Sequence, residues 1–143
     1  MKCEIVIDKN CEEKVVVFAH EKTPLVCEIE NLVLEKVLTG YNDTEIVKLE
    51  LSKIFAFFCE SNKVFALLED KRFELKMRLY QIEEFAGKSF LKVNQSCIVN
   101  VGKIEKFEAS LYGGLSVILK NGHRDFVSRR QLKAVKERIE MNL

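Results

Sequence analysis

The spacing of apolar residues switches repeatedly between the strand and the helical period, and each switch marks an element boundary. Residues 2–7 alternate, with Cys3, Ile5 and Ile7 on one face and Glu4 on the other. Residues 14–19 hold a β-branched run, Val15-Val16-Val17-Phe18. Both read as strands, separated by a turn at Asp8-Lys9-Asn10. The period then becomes helical. Thr23 is a good N-cap, and Pro24 stands at the first helical position, where its missing N–H costs nothing. Leu25, Ile29, Leu32 and Val33 recur on one side, with Glu28, Glu30 and Glu35 opposite, and Gly40 is placed to end the helix. Residues 1–40 therefore predict a β-β-α preface, suited to a dimerisation or regulatory role.

After a turn at Tyr41-Asn42-Asp43 the period returns to two. Ile46, Leu49 and Leu51 open a strand, and Ile54 to Phe58 continue it after a tight turn at Ser52. Glu60-Ser61-Asn62-Lys63 is a polar hairpin loop, Val64 to Leu68 run back, and Phe73, Leu75 and Met77 alternate after the next turn. Leu79, Ile82 and Phe85 share a helical face that Gly87 closes. Phe90 to Val93 form a strand that ends in a polar corner. Gly113-Gly114 and Asn121-Gly122 are hairpin turns, the second matching a type I′ pattern. A last helix follows Ser128, with Leu132, Val135 and Ile139 apolar. The predicted fold is α+β and mostly β: packed antiparallel sheets with hairpin connections and three helices, at 24–39, 78–86 and 128–140. The preface spans 1–40 and the main domain 45–143.

Composition narrows the function. Hydrophobic residues make up 48% of the 143, enough for a buried core. Net charge is only +1, but it is unevenly spread. Residues 1–43 carry five Lys against nine acids, whereas from Gly87 onward eleven bases face five acids. A basic C-terminal half suggests nucleic acid, although a solvated mixed surface explains the charge equally well. The five cysteines form no C-x-x-C pair, and His20 and His123 are scattered, so neither a metal site nor any cofactor is expected. They read as free, mostly buried thiols in a reducing cytoplasm. No apolar stretch approaches a membrane span. Catalysis has little to stand on: Cys97 lacks a base, Gly113-Gly114 lacks the residues of a phosphate loop, and Glu12-Glu13 and Glu83-Glu84 read as solvated. The chain is not expected to be an enzyme.

What remains is the stretch Phe90-Leu91-Lys92-Val93-Asn94-Gln95-Ser96-Cys97-Ile98-Val99-Asn100. Its polar members are hydrogen-bonding groups with one charge, poor for acid–base chemistry and good for reading base edges and holding phosphates. Ser96 and Ser128 read first as helix N-caps, and Asn100 first as a turn tie. Val127-Ser128-Arg129-Arg130 places two cations at a helix N-terminus, against the helix dipole. That placement is easier to understand where an anion binds. An alternative is a non-DNA protein-interaction module with a basic loop face, but such an interface exposes aromatics, and Tyr112 is the exception among these loops.

From about Glu45 to Leu143 the chain resembles the LytTR-type DNA-binding domain of bacterial transcription regulators. The match runs through Leu51-Ser52-Lys53-Ile54, Phe73-Glu74-Leu75 with Leu79 and Phe85, the Phe90–Asn100 stretch, Ile104, Asn121-Gly122 and Val127-Ser128-Arg129-Arg130. The family prefers Phe-x-Arg-Val-His/Ser-Arg/Lys-Ser-Tyr/Ala-Ile-Val-Asn in the central stretch. Here Lys92 stands for the usual Arg, and Gln95 for Arg or Lys. The resemblance implies a sequence-specific, double-stranded DNA-binding transcriptional regulator that reads the major groove with loops and strand ends. It implies base-reading residues at Asn62 and Lys63, at Asn94 and Gln95, and at Arg130, with Lys92 and Arg129 on phosphates. Lysine cannot form arginine's planar fork, while Gln95 can still pair bidentately with adenine. The preface is too short for a receiver domain. By analogy with stand-alone members, the expected partners are DNA, a second copy on spaced repeats, and a small membrane regulatory protein.

Overall fold

The computed structural model describes residues 1–34 and 36–142. Glu35 and Leu143, included in the expectations above, lie outside the described residues. Three helices and ten strands are formed: α1 (Pro24–Val33), β1 (Val37–Tyr41), β2 (Ile46–Glu50), β3 (Ala56–Glu60), β4 (Lys63–Leu67), β5 (Arg72–Leu75), α2 (Leu79–Ala86), β6 (Phe90–Asn94), β7 (Cys97–Asn100), β8 (Ile104–Ala109), β9 (Leu115–Leu119), β10 (Arg124–Val127) and α3 (Arg129–Asn142). The mostly-β, antiparallel α+β class matches the expectation.

A seven-stranded sheet in the order β2-β1-β5-β4-β3-β7-β6 forms the middle layer. Its side chains alternate between two cores, as the pleat requires. Phe57, Ala66, Phe73, Leu75, Phe90 and Ile98 point to one side and meet Ile82 and Ala86 of α2. Ala56, Leu91, Val93, Cys97 and Val99 point to the other, where the sheet β10-β9-β8 and Val135 of α3 cover them. Strands buried on both faces explain the near-continuous apolar runs Ile54–Phe58 and Cys97–Val99.

Three expectations need correction. The first helix stops at Val33 rather than residue 39, and Val37–Tyr41 forms strand β1 instead. Gly40 does not end a helix. A Cβ there would come 2.6 Å from Leu49 Cδ1 and 2.8 Å from Phe73 Cβ, so glycine is what lets β1 lie close to its neighbours. Second, residues 2–7 and 14–19 form no ladder and, apart from half-buried Val17, stand exposed. Only the turn between them forms, with the Asn10 N–H donating to Asp8 Oδ1 at 2.9 Å. Third, Asn121-Gly122 is not a type I′ turn: only Gly122 has positive φ, +89°. The type I′ signature, positive φ at both central residues, falls instead on Ser61 (52°) and Asn62 (61°).

α1 is held at one end of the middle sheet, against the short 3₁₀ turns at Leu51–Lys53, Gly87–Ser89 and Val101–Lys103. It buries Cys27 and Asn31, and the Asn31 amide donates to Ser89 Oγ at 2.9 Å. The stripe read from sequence is not the buried one, since Leu25 and Leu32 remain about half exposed.

Candidate nucleic-acid interface

The strand registers decide which loops share the other end of the sheet. β3 and β4 meet at Glu60↔Lys63, so the Ser61-Asn62 turn stands at that end. Phe58 pairs with Cys97, and the Cys59 N–H donates to Ser96 O at 2.8 Å, which brings the Gln95-Ser96 corner alongside. The Ser128 N–H donates to Val93 O at 2.9 Å, fixing the start of α3 against the same corner. Antiparallel geometry thus gathers three loops, each 34 positions from the next in sequence, at 61–62, 95–96 and 129–130.

Within this end the expected residues divide. Gln95, Arg129 and Arg130 are exposed, and no ion pair engages either arginine among the described residues. Lys92 is half-buried on edge strand β6, two positions before the corner. Lys63 is exposed but lies 3.4 Å from Glu74 Oε1, while Lys76 lies 3.0 Å from Oε2. Lys76 and then Lys63 hold the Glu74 carboxyl below its usual range. Asn62 is exposed, and its left-handed backbone is one that asparagine tolerates well.

Asn94 is different. Its side chain is buried, with 3% exposure, and is committed to the fold. Nδ2 donates to Asp125 Oδ1 at 3.0 Å and to Phe126 O at 2.9 Å, and Oδ1 accepts the Ser96 N–H at 2.8 Å. Both amide hydrogens are used. Asn94 locks the corner to β10 and so sets where Gln95 and Arg130 stand relative to each other.

Residues 44–140 match the family described as the LytTr DNA-binding domain. The chain belongs to the LytTR family. An uncharacterized HTH-type transcriptional regulator of Staphylococcus aureus (strain NCTC 8325 / PS 47) is 34% identical over 146 residues, covering 99% of both chains. Its counterpart in strain MRSA252 matches to the same extent. The solved LytTr DNA-binding domain of a Bacillus cereus protein superposes with a TM-score of 0.68, covering 72% of this chain and 95% of that one at 22% identity. This LytTR chain contains no helix-turn-helix among the described residues, because five strands separate α1 from α2 and five more separate α2 from α3.

Other polar residues of the LytTR central stretch are structural. Asn100 donates to Ile54 O at 2.8 Å and accepts the Gly102 N–H at 3.0 Å, in keeping with its expected role as a turn tie. Ser96 is not a helix cap, since it lies in the β6–β7 turn. Ser128 precedes α3, and its carbonyl accepts the Gln131 N–H at 3.1 Å. Burial raises the Cys97 thiol far above its usual range, with Asp125 adding to the shift, which disfavours the thiolate that a nucleophile needs. Cys3 and Cys11 are exposed, contrary to the expectation of mostly buried thiols, because the segment that carries them is itself uncovered.

Sequence reasoning missed three features of this end. Register Val64↔Leu75 brings Lys76 and Arg78 beside the 61–62 turn. Arg78 and Tyr80 line a shallow cleft of about 470 Å³ with Ser61 and Asn62. Leu115 pairs with both Ala109 and Val127, so the Ser110–Gly114 turn also stands at this end, with Leu111 and Tyr112 fully exposed. The hairpin pattern from Ile54 to Leu75 carried the signal for the first two, since antiparallel strands return their ends to one place.

Proposed function

We propose that this protein is a cytoplasmic, sequence-specific, double-stranded DNA-binding transcription regulator. Gln95 and Arg130 read base edges in the major groove, and Asn62 and Lys63 reach a neighbouring position from the hairpin turn. Lys92 and Arg129 contact phosphates, and Asn94 positions the corner. One observation carries this reading: the Cys59–Ser96 and Val93–Ser128 backbone bonds gather three separate loops, rich in amides and cations, at a single end of a rigid sheet. Amides and arginine are the groups that pair bidentately with adenine and guanine. Two copies act on spaced repeats, and a small membrane protein is the regulatory partner.

The test is selection of bound sequences from random duplex DNA, followed by titration of the enriched site. Arg130→Ala is expected to cost about 1–3 kcal/mol and to relax preference at one position. Arg129→Ala should weaken all sequences alike and lower the salt slope by about 0.9. Enrichment of no motif would overturn the reading. The exposed pair Leu111 and Tyr112 favours a second one, a protein-interaction surface at the same end. Capture of a protein partner that Tyr112→Ser abolishes, with no DNA motif enriched, would establish it.

A further inference from the structure

Among the described residues, twelve of the seventeen exposed large apolar side chains fall in the first 37. They include Ile5 (80% exposed), Ile7 (87%) and Phe18 (93%) on the arm, and Leu25 and Leu32 on α1. A single chain buries none of this surface. The arm has the composition of two strands, and its central turn is already formed, yet its backbone groups pair with no ladder. Unpaired β-branched strands of this kind are templates for pairing with another chain.

We propose that a second copy of the chain covers this surface: the two N-terminal arms, residues 2–19, pair as antiparallel strands across a two-fold axis and close over the exposed Leu25/Leu32 flank of α1. Four observations support this occupant. The first is area. A fully exposed apolar side chain of this size offers roughly 60–120 Å². The eight on the arm and the Leu25/Leu32 flank, 47–93% exposed, offer on the order of 500 Å² of apolar side chain per copy, the larger part of the ~800 Å² that each partner contributes to a stable interface. The second is charge. Residues 1–23 carry four lysines and five acids, a near-neutral mixture that tolerates self-association and suits neither an anionic membrane nor DNA. The third is symmetry, because identical strands related by a two-fold axis pair antiparallel and each satisfies the other. The fourth is position. α1 sits at the sheet end opposite the reading loops, so the dimer leaves that face open.

This deepens the proposed function by giving its dimer a surface, and it is read by mass, so it stands or falls apart from DNA recognition. The experiment is light scattering of the full chain at tens of micromolar. The expected mass is twice 16.6 kDa for the wild type and 16.6 kDa for Ile5→Lys/Val16→Lys. Both positions are exposed in the single chain and outside both sheets, so the amides of the sheet strands should stay protected in the variant. Hydrogen exchange supplies the second readout: the amides of 3–7 and 15–18 should be protected in the wild type and lose that protection in the variant. A monomeric wild type overturns the proposal, whether or not its arm is protected or binds anionic vesicles. So does a dimer that survives the double lysine variant, or one whose arm amides exchange freely.

Discussion

Replacing Asn94 with alanine separates a residue that reads DNA from one that shapes the reader. The substitution removes three hydrogen bonds, one to the Asp125 carboxylate and two with the backbone at Phe126 and Ser96. A neutral bond contributes about 0.5–1.5 kcal/mol net and one to a charged group about 1.5–3. Asp125 is only half-buried and Ser96 is exposed, so water recovers part of the loss at both. The Phe126 carbonyl keeps its strand position but loses its side-chain partner. The net cost is therefore about 2–4 kcal/mol, a large share of the ~5–15 kcal/mol that stabilises an ordinary domain. Urea unfolding followed by circular dichroism measures it: the midpoint should fall while the slope stays constant. Gln95→Ala, one residue on and exposed, should change stability by no more than about 0.5 kcal/mol. Both variants should bind DNA more weakly, but for different reasons. An Asn94→Ala protein as stable as wild type, yet defective on DNA, would refute the positioning role and restore Asn94 as a direct reader.

Other outcomes follow from the same structure. Asn62→Gly should keep the hairpin, whose φ of 61° glycine accepts freely, and lose whatever contact the amide makes with DNA, whereas Asn62→Val should destabilise by about 1–3 kcal/mol in urea unfolding. Gly40→Ala should cost about 1–3 kcal/mol, because its new methyl meets Leu49 and Phe73 well inside van der Waals contact. Glu74 titrates low in the folded chain, so its ion pairs stabilise at neutral pH and are lost as pH falls through that lowered value. Lys76→Ala should move the Glu74 titration, followed by carboxyl NMR, up toward the ordinary range. A thiol reagent should label Cys11, beside the turn of the arm, quickly in the native protein and leave Cys27 and Cys97 untouched until unfolding.

The domain from Ile46 onward was legible because its signals are local: alternation, polar turns and a capped last helix all act within a few residues. α2 and α3 lie within one or two residues of their expected bounds. The first forty residues misled for a physical reason. Helical spacing of Leu25, Ile29 and Leu32 describes a stripe, but the face that packs is chosen by long-range partners, here Ser89 against Asn31. Gly40 reads as a helix end, yet its role depends on Leu49 and Phe73 approaching from other strands. At the end that gathers the three loops, the family resemblance pointed to Gln95 and Arg130, and the structure leaves both exposed. The resemblance did not tell Asn94 from Gln95, because which amide turns inward depends on where β10 passes.

That inward turn has a consequence for how the protein can change over time. The load of holding the corner falls on Asn94 and on backbone bonds, which leaves Gln95 and Arg130 exposed and without a side-chain hydrogen bond among the described residues. Selection can therefore exchange these two side chains at little thermodynamic risk, and on the proposed reading a regulator can acquire a new operator without first acquiring a sturdier scaffold. Retargeting libraries should randomise 95 and 130 and leave 94 alone.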